Sequence, residues 1–282
     1  MPLLLASIPS PSRGVIEVGP LELHAYGLML ALGVLAAAAI AERRYTRWGG
    51  EARTITEIAV PVVLGGVIGA RVYHLFTGYD WDEGGVVGAL RIWEGGLSIW
   101  GAVAGGLIAL LAVARARRLD TLMLMDAIAP GLAVAQAIGR WGNWFNQELY
   151  GRPTDLPWGL EIDFEHRPER YLAQETFHPT FLYESIWCLL VAGAVVLAER
   201  RARLHKGQAF ALYVAAYTFG RVFFEALRVD PATELFGVRF NLLLSAVLCA
   251  VGAVLFVYWG RRSPVAPSAR TRAPTAGVPA DS

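Results

Sequence analysis

Apolar residues recur along this chain in windows of about twenty, near 21–41, 56–77, 96–114, 121–139, 180–198, 208–227 and 240–259, with short charged runs between them. A helix needs about 20 mostly apolar residues to cross a hydrocarbon core about 30 Å thick, so the pattern predicts seven transmembrane helices. Basic residues mark every second junction. Arg43, Arg44, Arg47 and Arg53 follow the first window, and Arg115, Arg117 and Arg118 the third. Arg200, Arg201, Arg203 and Lys206 follow the fifth, and Arg261 and Arg262 the seventh. The positive-inside rule makes these junctions cytoplasmic, which puts the N-terminus outside and the C-terminus inside. The opposite junctions carry Asp80, Asp82, Glu83, Asp155, Glu161, Asp163, Glu165 and Glu169, with Trp81, Trp93, Trp141, Trp144 and Trp158 near the same side. That matches an interfacial aromatic belt. The expected fold class is thus an all-α integral membrane protein. Residues 1–262 form one seven-span domain, the long connection at about 140–179 is a small external subdomain, and 263–282 is a disordered cytoplasmic tail rich in Pro, Ala and Ser.

Composition sharpens this picture. The chain is 55% hydrophobic and 17% charged, with a mean hydropathy of +0.43, against about 25% charge in ordinary soluble domains. Soluble enzyme classes are largely excluded. A net charge of +1 without a basic stripe gives no case for a nucleic-acid partner. Cys188 and Cys249 lie in apolar runs, where a free thiol behaves as a small hydrophobe. With no HExxH and no cluster of thiolates, neither a metal nor a cofactor is expected.

Charge inside the spans is costly, at least about 2.5–3.5 kcal/mol per group at mid-bilayer, so each such residue calls for a partner or a function. The candidates are Arg71, Asp126, Arg140, Glu184, Arg221 and Glu225. Asp126, close to Pro130, is read as structural, bonding backbone that the proline frees. In the deduced topology Arg71, Arg140, Arg221 and Glu225 fall toward the external half. His24, Tyr26 and the segment from Trp93 to Gly101 begin there too, so these elements can converge on one external-facing cavity. Arg221, Glu225 and Arg228 share one helical face. Arg221 and Glu225 alone would simply neutralise each other. Arg140, from another span, adds a cation that an anionic ligand would balance, and a phosphate suits guanidinium forks. The glycines of spans two and three, including Gly65, Gly69, Gly101 and Gly105, are read as close helix packing.

The run GRWGNWFNQELYG, Gly139 to Gly151, closely resembles the signature of the prolipoprotein diacylglyceryl transferases, Gly-Arg-x-Gly-Asn-x-x-Asn-x-Glu-x-x-Gly. Gly139, Arg140, Gly142, Asn143, Asn146, Glu148 and Gly151 fill every fixed position. Further similarity covers HAYG from His24, EGGLSIWG from Glu94, HPTFLYE from His178 and GRVFFEALR from Gly220. The resemblance implies a seven-span inner-membrane enzyme that moves the diacylglyceryl group of phosphatidylglycerol onto the lipobox cysteine thiol of a prolipoprotein, releasing glycerol 1-phosphate. Its partners would be phosphatidylglycerol, the signal peptides of prolipoproteins and membrane lipids. Arg140, Arg221, Tyr26, Glu148 and His24 are the catalytic candidates it implies. Arg140, Asn143, Arg221, Glu225, Gly95, Gly96, Gly101 and Gly151 are the candidates for binding phosphatidylglycerol.

One position departs from the family pattern. Where many members carry Ser-Phe-His-Gly, this chain has Ser98, Ile99, Trp100 and Gly101, and an indole cannot accept a proton at neutral pH. His24 is the alternative thiol base, since an imidazole can accept a proton close to neutrality, with His178 a second candidate. Nearby arginines would also favour a thiolate. The rival function is a non-catalytic anionic-lipid carrier or flippase. Such a carrier usually has inverted repeats and polar residues in both leaflets, and neither stands out here.

Overall fold

The computed structural model describes residues 7–18, 21–79, 81–92, 95–262, 264 and 266. Asp80, Trp93, Glu94 and residues 267–282 of the expected tail lie outside them. Among the described residues seven helices are long and apolar enough to cross a membrane. They are α1 (Ala25–Arg47), α2 (Thr54–Thr77), α4 (Ile99–Ala116), α5 (Thr121–Phe145), α6 (Thr180–Arg201), α7 (Gln208–Leu227) and α8 (Phe240–Arg262), with a short α3 (Trp81–Leu90) between the second and third spans. Each apolar window read from the sequence holds one of them. The chain divides into two compact units, Met1–Ala41 with Met125–Ser282, and Glu42–Leu124.

In the smaller unit, α2 and α4 meet along glycines. A Cβ at Gly69 would lie 2.8 Å from the Gly105 Cα, and one at Gly105 would lie 2.9 Å from the Gly69 Cα. Two backbones approach this closely only where side chains are missing, so the packing role expected of these glycines holds. Arg71, buried near the end of α2, was expected to face an external cavity. Its guanidinium instead donates to the carbonyls of Ala89 (2.9 Å), Gly88 (2.6 Å), Gly95 (2.8 Å) and Gly96 (3.1 Å). It ties the connection between α3 and α4 onto α2, because carbonyls turned inward by the positive φ of Gly95 and Gly96 replace the water that a buried cation loses.

In the larger unit α5 is the most enclosed of the seven spans. Ala129 and Ala133 of α5 pack with Val191, Ala192 and Val195 of α6 and with Ala209 and Tyr213 of α7. Gly131 lets α1 approach at Ala37, and Gly33 lies against the Ala135 backbone. Ser185 donates to the Ala137 carbonyl (3.0 Å) and Trp187 to the Ala216 carbonyl (3.0 Å), giving each polar group a partner in a neighbouring helix.

Asp126 is fully buried, as a structural role requires, but its bonds are not those expected. Its carboxylate accepts from the N–H groups of Gly207 (2.7 Å) and Phe210 (2.9 Å) at the start of α7. The reason lies in polarity. Proline at 130 lacks an N–H and so frees a carbonyl acceptor, which an ionised carboxylate, also an acceptor only, cannot satisfy. The first turn of α7 supplies orphan donors and the positive end of a helix dipole.

The connection between α5 and α6 folds around a short sheet and a small apolar cluster, referred to here as the subdomain. β3 (Leu160–Glu161) and β4 (Thr176–Phe177) pair antiparallel, and Ile8 adds a parallel bridge at Leu160. Tyr150, Leu160, Ile162, Phe177, Phe181 and Val229 form its core. Before α1, β1 (Val15–Val18) and β2 (Leu21–His24) form a hairpin with Val15 opposite His24. After α7, β5 (Glu234–Leu235) and β6 (Val238–Arg239) make one with shorter strands. At the far end of the chain, Pro264 accepts from the Lys206 N–H (2.9 Å) and the Ala266 N–H donates to Leu204 (2.8 Å).

Asp126→Ala removes two charge-assisted bonds to buried donors and is expected to lower stability by about 2 kcal/mol. Thermal unfolding in detergent checks this. An unchanged midpoint would show that the α7 N-terminus does not depend on Asp126.

Candidate active site

Three helices of the larger unit bring charge together. Arg140 lies near the end of α5, Glu184 in the second turn of α6, and Arg221 and Glu225 one turn apart on α7. Arg140 and Arg221 each approach the same oxygen, Glu184 Oε2, at 2.8 Å. Arg221 also donates to Glu225 at 2.6 Å. Glu225 has no exposed surface and is surrounded by donors: Arg221, Arg228 at 3.5 Å, Arg239 at 3.0 Å and the Asn241 amide at 3.3 Å. Asp230 closes the chain, taking a two-pronged contact from Arg228 at 2.7 and 2.9 Å and a third bond from Arg239 at 3.1 Å. Burial opposes ionisation of Asp230. The hydrogen bond and charge of Arg228 and the charge of Arg239 outweigh that and hold its carboxyl below the usual range.

The sequence anticipated Arg140, Arg221, Glu225 and Arg228 as one group, and the structure brings them together. Glu184, noted only as a charge within a span, turns out to join the two arginines. Arg239, Asp230 and Asn241 carry no such signal in the sequence, because they lie before, in and just after a short hairpin beyond α7, where charge is ordinary. The available signal was the spacing: Arg228, Asp230 and Arg239 bracket the turn between two spans. Among the described residues four guanidiniums meet three carboxylates in this network, an excess of one cationic side chain.

The signature segment surrounds this network with close backbone contacts. Gly142 faces the Tyr26 ring, and a Cβ there would lie 2.5 Å from Tyr26 Cδ2. Tyr26, in the first turn of α1, therefore comes this close to α5 only because residue 142 has no side chain. Gly151 is equally confined, with His178 Cβ 2.7 Å and Leu227 Cγ 3.1 Å from a built Cβ. Its N–H donates to the His178 carbonyl (3.0 Å), and it bridges to Arg228. Asn143 is buried and its amide donates to Glu148 at 2.8 Å, with Asn146 adding a longer bond at 3.4 Å. Glu148 pairs with neither Arg140 nor Arg152 in the bonds that the described residues make. Gln147, left-handed at φ 51, fixes this turn through Asp163 and Pro11. A cavity of about 310 Å³ opens beside it, lined by Asn146, Gln147, Glu148, Phe145 and His166 together with Pro11, Ser12 and Gly14.

The remaining candidates are placed as follows. His24 ends β2 and is exposed immediately before α1. His178 is partly buried just before α6, 3.3 Å from the Tyr183 hydroxyl, and burial lowers its pKa, which favours the neutral ring. Gly95, Gly96 and Gly101 belong to the smaller unit, where the first two face Arg71 and the third packs against Gly69. Trp100 stands in the first turn of α4.

Seven helices able to span a membrane and a buried arginine–carboxylate chain define the class as a polytopic membrane protein. Comparison with known sequences makes the class specific. Residues 13–258 match the prolipoprotein diacylglyceryl transferase family, and the chain belongs to it. The phosphatidylglycerol–prolipoprotein diacylglyceryl transferase of Frankia alni is 48% identical over 268 residues, covering 94% of this chain and 70% of that protein. A Streptomyces coelicolor enzyme of that name, numbered 2, is 49% identical over 256 residues, 88% of this chain and 81% of its own. The Cutibacterium acnes enzyme is 44% identical over 269 residues, 93% and 89% respectively.

Glu148→Gln tests what its carboxylate does. The amide oxygen can still accept from Asn143, so the fold should survive with a loss of about 1 kcal/mol, while turnover falls because the charge beside Tyr26 is gone. A variant that is less stable yet fully active per folded molecule would assign Glu148 to structure alone.

Proposed function

We propose that this protein transfers the diacylglyceryl group of phosphatidylglycerol to the thiol of the lipobox cysteine of prolipoproteins, the first step of lipoprotein maturation. The observation that carries the proposal is the shared Glu184 oxygen. Arg140 and Arg221, from different spans, converge on one point at 2.8 Å each, and the network they belong to retains one positive charge. A phosphodiester carries one negative charge, so the donor headgroup would balance the site.

In the reaction the thiol sulfur forms a bond to the glyceryl carbon, and the bond between that carbon and the phosphate oxygen breaks. The leaving glycerol 1-phosphate takes the bonding electrons and becomes a monoester, gaining negative charge as it departs. Arginines fixed by Glu184 and Glu225 are already oriented for that charge, so little reorganisation accompanies its development. Arg140 and Arg221 bind the phosphate in this reading, and Arg228 and Arg239 position Arg221 through Glu225. Asn143 and Glu148 shape the polar cavity at the end of α5, and Tyr26 lies against the same segment. Gly151 keeps the subdomain closed on the ends of α6 and α7.

The thiol proton needs an acceptor in place of the missing family histidine. His24 is the candidate on the strength of its exposed position two residues before Tyr26, and the arginine field would assist by favouring a thiolate. The acceptor cysteine arrives on a signal peptide that is itself a membrane helix. Basic junctions after α1, α4, α6 and α8 support an inner-membrane orientation with the site toward the external leaflet. Gly95, Gly96 and Gly101 contribute to lipid binding only indirectly in this account, by setting the shape of the α2–α4 pair.

Incubation of the purified protein with phosphatidylglycerol and a lipobox peptide tests the reading. A thioether-linked product and released glycerol 1-phosphate are expected, and Arg140→Ala should lower the rate on the order of 100-fold to 1000-fold while the protein stays folded. Binding of phosphatidylglycerol without any product would favour an anionic-lipid carrier. Near-normal turnover in Arg140→Ala would remove that arginine from the site.

A further inference from the structure

A second basic site lies at the junction of α1 and α2, within the smaller compact unit. Arg43, Arg47 and Arg53 line an open groove of about 410 Å³ together with Glu42, Thr46 and Ala52. All three arginines are exposed, and none forms an ion pair with a described residue. The acids nearby are engaged or apart. Glu42 accepts from the N–H groups of Arg53 (2.6 Å) and Thr56 (3.1 Å) and from the Thr46 hydroxyl (3.2 Å), so its carboxylate serves the start of α2 rather than the arginines. Glu57 is held by Arg117 at 2.7 Å. Glu51, exposed in the same loop, pairs with none of the three.

Two further features give the groove a direction. Arg53 adopts φ 71, a left-handed conformation that glycine or asparagine fills at lower cost, yet the position carries a guanidinium. Thr56, bonded to Glu42, begins a helical face that continues through Val60, Leu64 and Ile68, spaced four apart. All three of those apolar side chains are exposed. A cationic pocket thus sits at the foot of an apolar stripe on a membrane-spanning helix, the arrangement that a phospholipid headgroup and its acyl chain would meet.

We propose that this groove binds the headgroup phosphate of an anionic glycerophospholipid in the leaflet beside the α1–α2 junction, with an acyl chain along Val60, Leu64 and Ile68. The site is separate from the charged network of α5, α6 and α7, and the lipid it holds is a bound companion, not the donor of the transferred group.

Native mass spectrometry of the purified full-length chain, titrated with dioleoyl phosphatidic acid or dioleoyl phosphatidylcholine, tests this. Phosphatidic acid is anionic but lacks the glycerol headgroup that leaves as glycerol 1-phosphate in the transfer. The parent protein should retain phosphatidic acid at concentrations where phosphatidylcholine is lost. Replacing Arg43, Arg47 and Arg53 together by Gln should weaken that retention on the order of 100-fold, with transferase turnover unchanged. Should the triple variant fail to fold, Arg53→Gly decides, since it relieves the left-handed backbone while removing one charge. It should weaken retention about fivefold without lowering the unfolding midpoint. Equal retention by parent and variants overturns the proposal. So does arginine-dependent binding of inorganic phosphate as tight as that of phosphatidic acid, which would leave the apolar stripe without a role.

Discussion

Arg221 stands between two buried carboxylates, and much of the larger unit is arranged around that contact. Its guanidinium joins Glu184 of α6 to Glu225 of its own helix at 2.8 and 2.6 Å. Removing ions from water is expensive, and even a well-made buried pair seldom stabilises a protein more than apolar packing of the same volume would. A fold that only needed to hold α6 and α7 together would do so with residues such as Val195 and Ala209, as it does elsewhere along the same helices. The charged chain therefore points to function. Its one uncompensated positive charge is the property that a phosphate ligand would use.

The scaffold around the network explains why the signature contains so many small and amide residues. Gly142 admits the Tyr26 ring and Gly151 admits His178 and Leu227, so both glycines act through close approach. Asn143 acts through Glu148, and Gln147 ties the same turn to Asp163. Together they hold the end of α5 against the subdomain that follows it. The Arg152 N–H bonded to Leu227 (3.0 Å) and Tyr150 accepting from Val229 (3.4 Å) fasten that subdomain to the end of α7. Arg140 and Arg221 thus belong to elements whose ends are stitched together beyond the spans.

The spans were legible in the sequence because a twenty-residue apolar window has few other uses, and each window holds its helix within a few residues. The grouping of Arg140, Arg221 and Glu225 was legible because charge in such a window is too costly to be idle. What remained hidden depended on partners distant in sequence. Glu184 looked like one more buried acid until two arginines met on its Oε2. Arg239 and Asp230 lie where charge is cheap, so nothing marked them. Asp126 was recognised as structural, but a nearby proline drew attention away from the α7 donors 81 and 84 residues further along the chain. Arg71 appeared to be a cavity cation, and only the turned carbonyls of Gly95 and Gly96 reveal a tether.

The central claim is that net positive charge in the Arg140–Glu184–Arg221–Glu225 network holds the donor phosphate. Equilibrium binding of phosphatidylglycerol, without acceptor peptide, to the parent, Arg140→Gln and the double variant Arg140→Gln with Glu184→Gln tests it directly. The single variant cancels the surplus charge and should bind on the order of 10-fold to 100-fold more weakly. The double variant restores the surplus and should recover part of that loss. Binding by Arg140→Gln as tight as the parent, or a double variant no better than the single one, would contradict the account.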